Sequence, residues 1–405
     1  MIFDSKQTMN EQLNKDKWYF SLYDFSNSGY VLIFQSFLFP IFLISLNQDY
    51  IANTTALWSW IVAISTVIAI ILSPFIGKLA DIRNRSLVFA FLVLITGVTA
   101  IFTPIIFSNS IILIVISFII FNCTFELSQT VYDSFLKNFA KDSNIITSIS
   151  TFAWGFGYLG GVLFAVVYLM LNKLELSTNV ILSFSAFMYL IISVPSILYF
   201  RKTIDNKPIE AHKFRNLLKV RPPIPWSKII IYWIIADCVG TIIYFAGLFA
   251  HSEIGLEVNT IGMLMLATQL LALPLTILSG KVANRIGHIR TIQLCLIVWS
   301  FILIGLFFAS SLIHMILLMI LVAFVIGSTQ SILRAKYANN VNRDNASQGF
   351  GFYAVAQKSA AVVSPLLVGA VILLTGQIRF AFIIIFILVI IAIILSGKLE
   401  KDVIS

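Results

Sequence analysis

Several ionisable and amide side chains stand inside long apolar runs of this chain, where each needs a partner or a task. Asp24, Ser28 and Gln35 recur at i, i+4 and i+11 and so share one helical face, with Asn27 beside them. Asn122, Glu126, Gln129 and Asp133 make a continuous polar stripe at i, i+4, i+7 and i+11 on an otherwise apolar segment. Such a stripe does not face lipid, where an unpaired polar group costs several kcal/mol. Asp237, Thr241 and Tyr244 form a third stripe, and Gln330, Arg334 and Tyr337 a fourth. Lys358 lies deep in another apolar run beside Gln357. A carboxylate taken out of water binds a proton more readily, which makes Asp237 and Glu126 candidate proton carriers, with Asp24 third. Acids together with one deep cation suit a zwitterion such as an amino acid or short peptide. Each residue also has a purely structural reading: Asp24 as a capped carboxylate, Asp133 paired with Arg83 or Arg85, Lys358 paired with Asp237 or Glu126. Arg334 either gates one end of its segment or snorkels to the interface.

The elements that must hold these groups follow from composition. The 405 residues are 59% apolar and 11% charged, with a mean hydropathy of +0.96. Soluble domains are about 45–50% apolar and about 25% charged. A soluble enzyme, a disordered chain and a nucleic-acid binder are all excluded. A membrane crossing takes about 20 apolar residues, and twelve candidates are present: 18–46, 53–76, 86–107, 110–135, 145–171, 178–200, 227–250, 258–279, 289–309, 311–335, 347–374 and 377–397. Residues 1–17 are polar, and no cleavable leader is expected. Of the 27 Lys and Arg residues, all but Lys173, Arg379 and Lys358 fall on one side if the N-terminus is cytoplasmic. The positive-inside rule then places both ends in the cytoplasm.

The segment 201–226 carries four prolines and seven Lys and Arg residues, with Lys228 just beyond, and reads as a cytoplasmic loop. It divides the chain into six spans (18–200) and six more (227–397), with a tail at 398–405. The halves look alike. Gly77-Lys78-Leu79-Ala80-Asp81-Ile82-Arg83-Asn84-Arg85 follows the second span, and Gly280-Lys281-Val282-Ala283-Asn284-Arg285-Ile286-Gly287-His288 follows the eighth. In each a Gly allows a tight turn. The Asp81 carboxylate suits the start of a neighbouring helix, the nearest being the eleventh span near Ser347.

The first copy resembles the G-x-L-A-D-R-x-G-R-K signature of the major facilitator superfamily, keeping Gly77, Leu79, Ala80, Asp81 and Arg85. The second keeps Gly280, Ala283, Arg285 and Gly287, with Asn284 in place of the acid. Four further stretches resemble the vacuole-effluxer family, named for fungal vacuolar amino-acid effluxers. They are Tyr23-Asp24-Phe25-Ser26-Asn27-Ser28, Val131-Tyr132-Asp133-Ser134-Phe135-Leu136, Phe152 through Gly161, and Ala236-Asp237-Cys238-Val239-Gly240-Thr241. The resemblance implies an all-α membrane protein of twelve helices in two six-helix bundles. The first, fourth, seventh and tenth spans would line a cavity and work by alternating access.

The expected function is therefore secondary transport of a small solute, amino-acid-like by resemblance and driven by protons, in a bacterial inner membrane. Solute and coupling roles are expected for Asp24, Asn27, Glu126, Gln129, Asp237, Thr241, Gln330 and Lys358. Gating or conformational roles are expected for Gly77, Asp81, Arg83, Arg85, Asp133, Gly280, Arg285 and Arg334. The alternative is a membrane protein that does not transport, a sensor or a lipid scramblase. Membrane lipid and the solute are the expected partners, without nucleic acid, and nothing requires more than a monomer. No metal or cofactor is expected. Cys123, Cys238 and Cys295 have no ligand spacing, and Gly155-Phe156-Gly157-Tyr158-Leu159-Gly160 lies in a span rather than after a strand. Small residues at Gly157 and Gly161 suit close helix packing instead.

Overall fold

A backbone surrounded by hydrocarbon must satisfy its own hydrogen bonds, and a long apolar run does so as a helix. The computed structural model describes residues 2–46, 51–106, 110–139, 142–204 and 218–400. The helices are α1 Ile2–Tyr30, a π-helical segment Val31–Phe37, α2 Leu38–Ser45, α3 Ile51–Ile82, α4 Arg85–Ile106, α5 Ile111–Phe139, α6 Ser143–Lys173 and α7 Thr178–Thr203. They continue as α8 Trp226–Ser252, α9 Val258–Ile286, α10 His288–Phe308, α11 Leu312–Asn339, α12 Ala346–Thr375 and α13 Ala381–Ser396. Among the described residues, eleven segments are long and apolar enough to cross a membrane. α12, where the eleventh span was expected, contributes the shorter apolar stretch Leu366–Thr375.

Two compact units result. One comprises Met1–Phe139, Phe156–Arg221 and Arg343–Gly351; the other comprises Ala140–Gly155, Pro222–Asn342 and Phe352–Ser405. The division does not follow chain order, because the opening of α6 packs in the second unit and the opening of α12 in the first. In the first unit α3 packs on α5, α4 on α5 and α7, and α1 on α7. Its core is aromatic, with Tyr30 stacked on Phe125 at 4.2 Å and Phe20 on Tyr132 at 4.2 Å. In the second unit α9 and α10 pack on α11, and α13 packs on α10 and α8. Its buried rings include Tyr232, Tyr337 and Tyr353, and Trp299 donates to Thr329 at 3.1 Å. Large apolar side chains such as Phe91, Ile112 and Phe308 are exposed, as lipid-facing positions are.

Three boundaries differ from the sequence expectation. α1 begins at Ile2, so the polar residues before 18 continue the first helix. The end of α7 supports it: the Tyr199 hydroxyl donates to Asp16 at 2.7 Å, and Tyr19 stacks on Tyr199 at 4.1 Å. The two signature segments are not loops but the last turns of α3 and α9. Hydropathy falls at Lys78 and Asp81, but the backbone ladder runs on. The turns themselves are short. Asn84 caps α4 by accepting the Leu87 amide at 3.0 Å, and Gly287, at φ +96°, makes the turn between α9 and α10. The positive φ explains a glycine at 287; Gly77 and Gly280 are helical and answer to a different demand.

Candidate functional site

The α5 stripe meets the π-helical part of the first span. Gln35 Nε2 donates to Asn122 Oδ1 at 2.8 Å and to Glu126 Oε1 at 3.1 Å. Asn122 Nδ2 donates to Ser65 Oγ of α3 at 2.8 Å. π-turns recur at functional positions because they displace a side chain from the regular helical register. Here the π segment brings Gln35 to α5. Asp24 and Asn27 of α1 are buried, and Ser28 donates to the Asp24 carbonyl at 3.0 Å. Gly157 and Gly160 of α6 lie against this stretch; a Cβ on Gly160 would stand 1.8 Å from the Phe25 carbonyl oxygen. Asn27 Oδ1 and Gln129 Nε2 are buried and have no hydrogen-bond partner among the described residues. Native interiors rarely leave such atoms unmet. Asp133, lower on α5, is half-buried.

In the second unit Asp237 and Thr241 are buried on α8, and the Thr241 hydroxyl donates to the Asp237 carbonyl at 2.7 Å. The Tyr244 side chain lies outside the described residues. Gln330 of α11 and Lys358 of α12 are half-buried, and Gln357 donates to Tyr353 at 2.8 Å. Asp237, Thr241, Gln330 and Lys358 all stand on helices of the second unit.

The signature residues form a separate station in each unit. In the first, Asp81 accepts the Ser347 and Gln348 amides of α12 at 3.0 and 2.8 Å, where the dipole argument puts it. Arg85 pairs with Asp81 at 2.7 Å, donates to Asn138 at 2.8 Å and also donates to the Arg343 carbonyl. A Cβ on Gly77 would stand 2.1 Å from the Ser347 carbonyl oxygen, and one on Gly351 would stand 2.6 Å from the Ser73 carbonyl oxygen. The Ser134 and Ser347 hydroxyls bond at 2.8 Å.

In the second unit a Cβ on Gly280 would stand 2.2 Å from Thr151 Oγ1, and one on Gly155 would stand 2.9 Å from the Leu273 carbonyl oxygen. Asn284 donates to the Asn144 carbonyl at 3.1 Å. Arg334 is 2% exposed, so it does not snorkel. It donates to Ser150 Oγ at 3.0 Å and to the Ser150 carbonyl at 3.1 Å, and lies 5.0 Å from the Trp154 ring centre. Arg83 and Arg285 are exposed and stand apart from these stations.

Ser65 and Ser150 escaped the sequence reading, and Trp154 entered it only within the stretch Phe152 through Gly161, without a role of its own. A serine inside an apolar helix usually bonds its own backbone, and nothing local marks the exceptions.

Long apolar helices with buried amides and carboxylates define a multi-pass membrane protein. The chain belongs to the Major Facilitator Superfamily, whose sequence profile matches residues 26–365 and, in a second alignment, 230–401. It is similar to the uncharacterized MFS-type transporter YxiO of Bacillus subtilis (strain 168), at 25% identity over 416 residues and 97% of each chain. The fold is shared with an outward-facing bacterial homologue of the iron transporter ferroportin (TM-score 0.75, 13% identity, 96% of this chain and 100% of that one). It is shared also with the human organic anion transporter MFSD10 (TM-score 0.73, 13% identity, 95% and 99%). A third such structure is a single-residue variant of the Escherichia coli fucose:proton symporter FucP (TM-score 0.71, 14% identity, 96% and 98%).

Proposed function

We propose that this chain is a secondary active transporter of a bacterial cytoplasmic membrane, with both ends in the cytoplasm. It carries an amino acid or another small zwitterion by alternating access, coupled to protons. The observation that carries the reading is the set around Glu126, a carboxylate that accepts from Gln35, which donates also to Asn122, on a helix that is otherwise apolar. The orphaned Asn27 Oδ1 and Gln129 Nε2 supply an acceptor and a donor on the same unit. Asp237 on α8 is the second proton carrier, and Lys358 on α12 receives the solute carboxylate. Proton symport in relatives of the same fold supports the coupling ion, and the likeness to vacuole effluxers supports the solute class. The stations at Asp81 and Arg334 serve as gates.

The test is uptake by proteoliposomes holding the purified protein, with and without an imposed pH gradient, against a labelled amino-acid and dipeptide panel. Gradient-driven accumulation of one solute is expected, lost in Glu126→Gln and in Asp237→Asn. Lys358→Ala should raise KM for carboxylate-bearing solutes and leave their neutral amides unaffected. Accumulation that ignores both carboxylate variants overturns proton coupling at these residues. Tight vesicles that accumulate no panel member remove the zwitterion reading and favour another solute, or a sensor or scramblase on this scaffold.

A further inference from the structure

The polar set around Glu126 has a direction. Ser65 has one hydroxyl proton, and it goes to the Val62 carbonyl at 2.9 Å. Toward Asn122, therefore, Ser65 is an acceptor, and Asn122 turns its NH2 group to it. That orientation leaves Asn122 Oδ1 facing Gln35. When ionised, the Glu126 carboxylate offers acceptors only. Two oxygens from adjacent turns of α5 thus converge on one nitrogen, Gln35 Nε2, at 2.8 and 3.1 Å. A hydroxyl brings one proton to such a pair, a carbonyl or carboxylate none. Water apart, the matching ligand is a nitrogen with at least two N–H bonds.

We infer that Asn122 Oδ1 and Glu126 Oε1 form the binding pair for a protonated amine of the solute, and that Gln35 is an internal stand-in occupying the pair until the amine displaces it. The inference rests on the transporter reading above and adds which group of the solute is recognised, and where. An ammonium supplies the same two donors with a full charge, and charge-assisted hydrogen bonds are about twice as strong as neutral ones. Gln35 is also the member best able to yield. It is half-buried on the π segment, whereas Asn122 is 2% exposed and held on both sides.

Methylammonium and tetramethylammonium separate N–H donation from charge alone. With the protein in lipid vesicles, methylammonium should raise the thermal midpoint and compete with solute uptake, and tetramethylammonium should do neither. Gln35→Leu should lower the half-effective methylammonium concentration about three- to tenfold, since the two hydrogen bonds of Gln35 no longer compete. Glu126→Gln and Asn122→Leu should raise it, the former about tenfold or more. Midpoints measured without probe identify any variant that has merely misfolded, and the isosteric Glu126→Gln then carries the test.

Equal effects of the two cations, or weaker methylammonium binding in Gln35→Leu, would overturn the inference. So would uptake of an N-acetylated solute as efficient as that of its parent. Normal zwitterion uptake with no methylammonium effect sinks the inference and leaves the transporter reading intact. Methylammonium binding that follows these variants while no panel solute moves does the reverse.

Discussion

The two stations solve one packing problem with opposite chemistry. In the first unit α3 approaches the opening of α12 and presents an acceptor: Asp81 takes two amide protons from the start of that helix. In the second unit α9 and α11 approach the opening of α6 and present donors: Asn284 gives to the Asn144 carbonyl, and Arg334 to the Ser150 carbonyl. Each crossing has a glycine from both helices, Gly77 with Gly351 and Gly280 with Gly155. The repeat therefore preserves the close approach and not the charge. Closeness is the backbone's requirement, and the side chains then match whichever backbone groups the register exposes.

The comparison can be broken most sharply at the glycines. Gly77→Ala sets a methyl 2.1 Å from a backbone oxygen that cannot turn aside. It should destabilise most among these variants in thermal unfolding, by about 3 kcal/mol or more, and Ser347→Ala should not rescue it. Asp81→Asn keeps one acceptor for two amides and dissolves the pair with Arg85. A loss of about 2–3 kcal/mol is expected in chemical or thermal unfolding. The converse Asn284→Asp, which restores the superfamily's acid, should destabilise by about 1 kcal/mol, because a carboxylate would face the Asn144 carbonyl. Stabilisation there would refute the donor–acceptor inversion.

Gly280→Ala meets the Thr151 hydroxyl, a side chain that can rotate. A loss of about 1 kcal/mol is expected, recovered in the double variant with Thr151→Ala. Arg83→Ala and Arg285→Ala, both exposed, should stay within about 0.5 kcal/mol of the parent. A larger effect at either would give the signature arginines a role that these stations lack.

Much of the frame was legible because hydropathy and backbone satisfaction dictate it. The contact of Asp81 with the start of α12 was legible too, since a carboxylate and a helix N-terminus attract whatever surrounds them. The helical extensions through 77–82 and 280–286 were not, because composition there looks like loop while the ladder simply continues. The partners of Arg334 were hidden for another reason. Ser150 and Trp154 lie far off in sequence, and one of the bonds ends on a backbone oxygen that no side-chain pattern announces. Gln35 shared a face with Asp24 on paper, but the π segment that sets its actual direction has no sequence signature.

That segment makes chain length a variable of recognition. An i→i+5 turn holds one residue more than an i→i+4 turn. Deleting one residue within Val31–Phe37 would let the rod become plain α-helix with its two flanks near their present phase, because the wider turn absorbs the extra residue. Asp24 would keep its neighbours while Gln35 lost its displaced position, with every named side chain still present. Among relatives of this chain, specificity could change through a gap in an alignment rather than a substitution, and a comparison of matched positions alone would not see it.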